Sequence, residues 1–80
     1  MDINEIIKIL KEEDAYYWVM SSYGENVYWY EKDHFRMRTE IYGYYPEQSK
    51  AVKESFIRKE LNHYLSRSDV YECFFGLEPM

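Results

Sequence analysis

The chain predicts an α+β fold: an antiparallel sheet of three to four strands packed on one face by two helices, in the order α-β-β-β-α-β. Two observations carry that prediction. Residues 16–45 hold three runs dense in aromatic and β-branched side chains, and Ser21-Ser22-Tyr23-Gly24-Glu25-Asn26 and Glu31-Lys32-Asp33-His34 between them have the polar make-up of hairpin connections. Apolar residues recur at helical spacing on both sides of this meander, and a last short aromatic run follows the second helical pattern.

The first helix is expected over Ile3–Glu12. Asp2 followed by Glu5 reads as a capping box, and Ile3, Ile6, Ile7 and Leu10 form one stripe. The helix runs into Glu12-Glu13-Asp14, three acids at the negative end of the macrodipole, where cations are favoured. A solvated terminus accounts for them at a small cost, and so does a basic partner docking there. The first strand, Ala15–Ser21, is apolar on both faces, with Tyr16, Trp18 and Met20 opposite Tyr17 and Val19. The second, Val27–Glu31, sets Val27 and Trp29 against Tyr28 and Tyr30. The third alternates cleanly: Phe35, Met37, Thr39 and Ile41 on a buried face, Arg36, Arg38, Glu40 and Tyr42 on a wet one.

Gly43-Tyr44-Tyr45-Pro46 breaks the sheet, and Pro46 suits the first turn of a second helix running to about Ser66. Val52, Phe56, Ile57, Leu61, Tyr64 and Leu65 are its apolar stripe. Val70–Phe75 reads as a strand added at a sheet edge. One domain, 1–80, accommodates all of this.

Ten tyrosines exceed what so small a core can hide, because each buried hydroxyl needs a partner; some must lie on the surface, where tyrosine is a favoured contact residue. The formal charge of −5 is one-sided: residues 1–34 hold eight acids against three lysines, and residues 35–80 balance seven acids with seven bases. A negative field repels phosphate backbones and attracts basic surfaces, which argues against direct nucleic-acid binding. Cys73 is the only cysteine, the opening residues lack the features of a secretory signal, and no apolar run approaches bilayer length. The expectation is a cytoplasmic protein with no membrane partner.

Catalytic chemistry has little to work with. His34, His63 and Cys73 stand at no metal or nucleophile spacing, Glu60 with His63 is half of a metal motif, and three scattered glycines make no phosphate cradle. No enzyme activity, cofactor or metal is expected. Arg36 and Arg38 share a face and suit either a phosphate or cross-strand acids such as Glu31.

Along Met1-Asp2-Ile3-Asn4-Glu5-Ile6-Ile7-Lys8-Ile9-Leu10-Lys11, followed by Asp14, the chain resembles the opening helix of a phage-encoded anti-CRISPR family that inhibits Cas9. The resemblance implies a helix, a three-stranded sheet and further helices, with acids that imitate the DNA duplex at the PAM-reading site. It ends at residue 14, and no functional residue of that family carries over.

The leading expectation is therefore a non-enzymatic inhibitor of phage or mobile-element origin, anti-CRISPR or otherwise anti-defence. It would bind a host nucleic-acid-handling protein such as a CRISPR effector. The contact residues expected are Glu12, Glu13, Asp14, Tyr23, Glu25, Tyr28, Tyr30, Glu31 and Asp33. Two readings of other classes stand beside it. One is a module that sequesters a nucleotide-like signal between aromatic walls, with Arg36 and Arg38 on its phosphates. The other is a homodimeric assembly protein joined through its tyrosine face.

Overall fold

The computed structural model describes residues 2–67 and 71–75. In chain order the elements are α1 (Ile3–Glu12), β1 (Tyr16–Met20), β2 (Gly24–Glu31), β3 (His34–Ile41), β4 (Lys50–Val52), α2 (Glu54–Leu65) and β5 (Tyr71–Phe75). The strands form one antiparallel sheet in the order β4-β3-β2-β1-β5, so the α+β architecture is as the patterning predicts, with β5 at the edge beside β1.

Both helices lie against one face of the sheet. Ile6, Ile7 and Leu10 of α1 and Ile57 and Leu61 of α2 meet Tyr17, Val19, Tyr28, Phe35 and Met37 in a single core. Burying each such side chain contributes about 1.5–3 kcal/mol, which is how this short chain gathers enough to fold. The start of α1 is the expected one: the Glu5 amide donates to Asp2 Oδ1 at 2.9 Å. Polar bridges tie the two helices to each other. Lys11 Nζ lies 3.2 Å from Glu54 Oε1, Arg58 Nε 2.9 Å from Glu54 Oε2, and Arg58 Nη1 donates to Asn4 Oδ1 at 2.9 Å. Those two cations, Arg58 first, hold the Glu54 carboxyl below its ordinary range.

Two boundaries, the strand count and one side chain depart from the sequence reading. The second helix begins at Glu54 and not at Pro46, since the preceding residues instead form β4, which pairs Val52 with Phe35 and Lys50 with Met37. Arg36 anchors that approach by donating from Nη2 to the Ser49 carbonyl at 3.1 Å and to Ser49 Oγ at 2.9 Å. The sheet consequently has five strands where three to four were expected. The strand β2 starts at Gly24 and not at Val27; a Cβ at Gly24 would run into the Glu40 carbonyl, so only glycine allows this approach of β2 to β3. Phe56, assigned to the apolar stripe, is 40% exposed, because α2 turns Ile57 and Leu61 onto the sheet and leaves Phe56 at the flank.

The hairpins follow turn chemistry. Lys32 and Asp33 both have positive φ (52° and 67°) in a two-residue connection between Glu31 and His34, the conformation that matches strand twist. Gly43 takes φ 91° in the turn closed by the Tyr44 amide on the Ile41 carbonyl at 3.0 Å.

A candidate protein-binding surface

The strand patterns of β1 and β2, ambiguous in sequence, are resolved by the helices. Tyr17 pairs with Tyr28 and Tyr28 with Met37 on the helix-covered side. Tyr16, Trp18, Met20, Val27 and Trp29 therefore share the other face with Arg36, Arg38 and Glu40. That face is sealed by its own side chains: Val27, between Trp18 and Arg38 on the ladder, is only 3% exposed. Tyr16 stacks on Trp29 with ring centroids 5.2 Å apart, and Trp29 Nε1 donates to Glu31 Oε1 at 3.1 Å.

The nine residues proposed from sequence fall into three groups. Glu12, Glu13, Asp14, Glu31 and Asp33 are exposed, and the fold collects them at one end of the sheet, where α1 ends, β1 begins and β2 turns into β3. The Tyr16 hydroxyl reports their convergence: it is raised by burial and then by the charges of Glu31 and Asp14, which lie far apart in the chain. Of these acids only Glu31 is in an ion pair among the described residues, with Arg36 Nε at 3.5 Å. Asp14 adopts φ 48°, the left-handed position just past the helix cap where glycine is usual. The end of α1 thus carries an unfavourable charge and an unfavourable backbone residue at the same place.

Tyr23 and Glu25 lie at the opposite end, in and beside the β1–β2 connection. Seven residue steps along β2 separate Gly24 from Glu31, about 23 Å at ~3.3 Å per residue, so these two cannot share a small contact with the acidic end.

Tyr28 is a correction, and Tyr30 lies on the same side of the sheet. Tyr28 is 0% exposed at the centre of the core, its hydroxyl donating to Glu60 Oε1 at 3.4 Å. Burial, followed by the nearby Glu60 charge, pushes that hydroxyl far above the ordinary tyrosine range, so it stays protonated. Tyr30 faces the helices, edge-on to Phe35 at 4.8 Å between centroids, with Lys11 Nζ 6.0 Å from its ring centre. The Tyr28 ring is not available as an anchor, because alternation places it under the helices; Tyr30 shares that side but is only half-buried at its rim.

Sequence reasoning placed Tyr23 and Tyr42 on the surface but missed Tyr44, Tyr45 and the cluster they complete. Tyr23, Tyr44 and Tyr45 are 77%, 76% and 96% exposed, and Ile41 and Tyr42 about half. Their backbones are joined where the Tyr42 amide donates to the Tyr23 carbonyl at 3.0 Å. The available signal was Tyr42-Gly43-Tyr44-Tyr45-Pro46 itself, since rings flanking a Gly-Pro break have no strand alternation to carry them inward. Beside this corner lies a cleft of about 160 Å³ lined by residues including Val19, Asn26, Thr39 and Tyr64. It is small against the ~300–1,000 Å³ of pockets that enclose a ligand. Its floor is closed by Asn26, whose Nδ2 donates to the Tyr64 hydroxyl at 2.9 Å and whose Oδ1 accepts from Thr39 Oγ1 at 2.6 Å.

Among the described residues no three His, Cys, Asp or Glu side chains converge as a metal would require, and no helix is long and apolar enough to cross a membrane. Cys73 lies in β5, its Cα in register with Trp18. No protein family, curated protein or solved structure was found to match the chain.

Proposed function

We propose that this chain is a non-enzymatic inhibitor, of anti-CRISPR or other anti-defence type, that binds a host nucleic-acid-handling protein through the acidic end of the sheet. The observation that supports this reading is the gathering of Glu12, Glu13, Asp14, Glu31 and Asp33 from separate segments onto one exposed end, where ion pairing within the described chain occupies only Glu31. A surface evolved for stability alone would favour cations at the end of α1. Carboxylates clustered there act as a DNA-like field, steering and holding a basic, phosphate-binding surface without any bond being made or broken.

The nucleotide-sequestering alternative is less favoured, because one of its two phosphate contacts, the Arg36 fork, is already engaged by Ser49 and Glu31. The test is capture of a partner from host extract on the immobilised chain, followed by elution with duplex DNA. Release of a nucleic-acid-handling protein by DNA, and its absence on the Glu12→Lys/Glu13→Lys/Asp14→Lys variant, is the expected result. A partner that DNA does not displace and that the variant still holds would overturn the reading.

A further inference from the structure

At the other end of the sheet, we infer that the tyrosine corner docks an arginine-bearing segment of a partner protein, with the guanidinium lodged between Glu25 and Glu40 and against the ring of Tyr42. This second surface does not depend on the acidic end described above.

Among the described residues, five of the six exposed large hydrophobic side chains, Tyr23, Ile41, Tyr42, Tyr44 and Tyr45, lie in this one corner. The corner is not a loose loop: the amide of Tyr42 is fixed on Tyr23 and that of Tyr44 on Ile41, both at 3.0 Å. Exposed tyrosines on a held backbone offer planar contact area at little entropic cost.

Charge complementarity selects the occupant. Glu25 and Glu40 are direct cross-strand partners, an arrangement in which like charges destabilise the sheet. Neither makes an ion pair among the described residues, and Arg38, the nearest cation along the same strand row, makes none either. Tyr42 stands next along the same face, where desolvation and then the charges of Glu25 and Glu40 raise its hydroxyl above the ordinary tyrosine value. An incoming cation neutralises the repulsion. Arginine fits where lysine does not: its planar fork can bond two carboxylates at once while its face lies on a tyrosine ring, whereas an ammonium is a compact, strongly hydrated point charge.

The experiment is an NMR titration of the full chain with a Gly-Arg repeat peptide and, in parallel, a Gly-Lys repeat peptide. The inference predicts saturable shifts confined to Tyr23, Glu25 and residues 40–45, with the arginine peptide bound about tenfold more tightly than the lysine peptide. Glu25→Gln/Glu40→Gln should weaken the arginine peptide about tenfold or more while raising the melting temperature of the free protein. Tyr44→Ala/Tyr45→Ala, at exposed positions, should also weaken it, and Glu12→Gln/Glu13→Gln/Asp14→Asn should leave it unchanged. Equal binding of the two peptides, shifts centred on the acidic end, or a melting temperature lowered by the double glutamine variant would overturn the inference. So would concentration-dependent self-association lost on Tyr44→Ala/Tyr45→Ala, which would assign the corner to a second copy.

Discussion

Replacing the three acids at the end of α1 by their amides, Glu12→Gln/Glu13→Gln/Asp14→Asn, should make the protein more stable and, on the proposed function, unable to bind its partner. Glu12 is the last helical residue, Glu13 the cap, and Asp14 the left-handed residue beyond it. None is in an ion pair among the described residues, so no favourable contact is lost. Asparagine tolerates the φ of 48° at position 14 about as well as aspartate, so the backbone cost is unchanged and the difference reports charge. Each carboxylate near a helix C-terminus costs about 0.3–1 kcal/mol, and with all three exposed the total should be about 1–2 kcal/mol. For a domain of this size that corresponds to a rise of about 4–8 °C in melting temperature for each kcal/mol. Thermal melts followed by circular dichroism at pH 7 measure it. The gain should shrink to a small fraction in about 1 M salt, where the screening length falls to ~3 Å. A variant that melts no higher than the parent at low salt, or whose gain is indifferent to salt, would refute the claim that these acids are held against stability.

Other consequences are separately measurable. Tyr28→Ala should cost about 3–5 kcal/mol in urea unfolding and Tyr28→Phe about 1 kcal/mol, since the ring is core and its hydroxyl bond to Glu60 is long; a folded Tyr28→Phe protein that no longer binds would return Tyr28 to the contact. Lys32→Asn/Asp33→Gly places residues suited to positive φ in the β2–β3 turn and should stabilise by about 1 kcal/mol, whereas lower stability would contradict the turn assignment. Because Tyr28 is held protonated in the fold, the unfolded chain loses its proton first above the ordinary value of 10.0. Stability from this group is complete below that pH and falls above it by about 1.4 kcal/mol per pH unit, with Tyr16 and Tyr64 adding in the same direction. Tyr28→Phe should flatten that alkaline decline, and an equally steep decline in the variant would place its origin elsewhere.

Much of the fold is legible because two periods are unmistakable. The spacing of Ile3, Ile6, Ile7 and Leu10 admits only a helix with one buried stripe, and the alternation of β3 sends Phe35 and Met37 inward before any packing is known; Ile41, assigned to the same buried face, is instead 49% exposed at the end of the strand. The strands β1 and β2 carry aromatic residues on both sides, so alternation could not say which set is covered. That depends on where α1 and α2 lie, a tertiary fact. Pro46 is suited to a helix start, but Arg36 reaching Ser49 and Val52 pairing with Phe35 hold residues 49–52 beside β3 instead. A three-residue strand has too little pattern to compete with that local preference.

The candidate site was legible in composition and not in arrangement. Glu12, Glu13 and Asp14 are adjacent in the chain and stand out against helix electrostatics; that Glu31 and Asp33 join them follows from the β1–β2 hairpin, which returns the end of β2 to the start of β1. Tyr23 and Glu25 were assigned to the same patch by residue type, but hairpin geometry sends them to the far end. There they meet Glu40 and the tyrosines around Gly43, a grouping visible only once the β2–β3 register sets Glu25 opposite Glu40.

The most direct test of the central claim is competition for the captured host protein between this chain and duplex DNA, measured as DNA displaced at rising concentrations of the chain. Mutually exclusive binding, weakened by added salt and abolished by Glu12→Lys/Glu13→Lys/Asp14→Lys with the fold intact, is what a carboxylate surface occupying a phosphate site requires. A ternary complex in which DNA stays bound, or full competition by the charge-reversed variant, would contradict it.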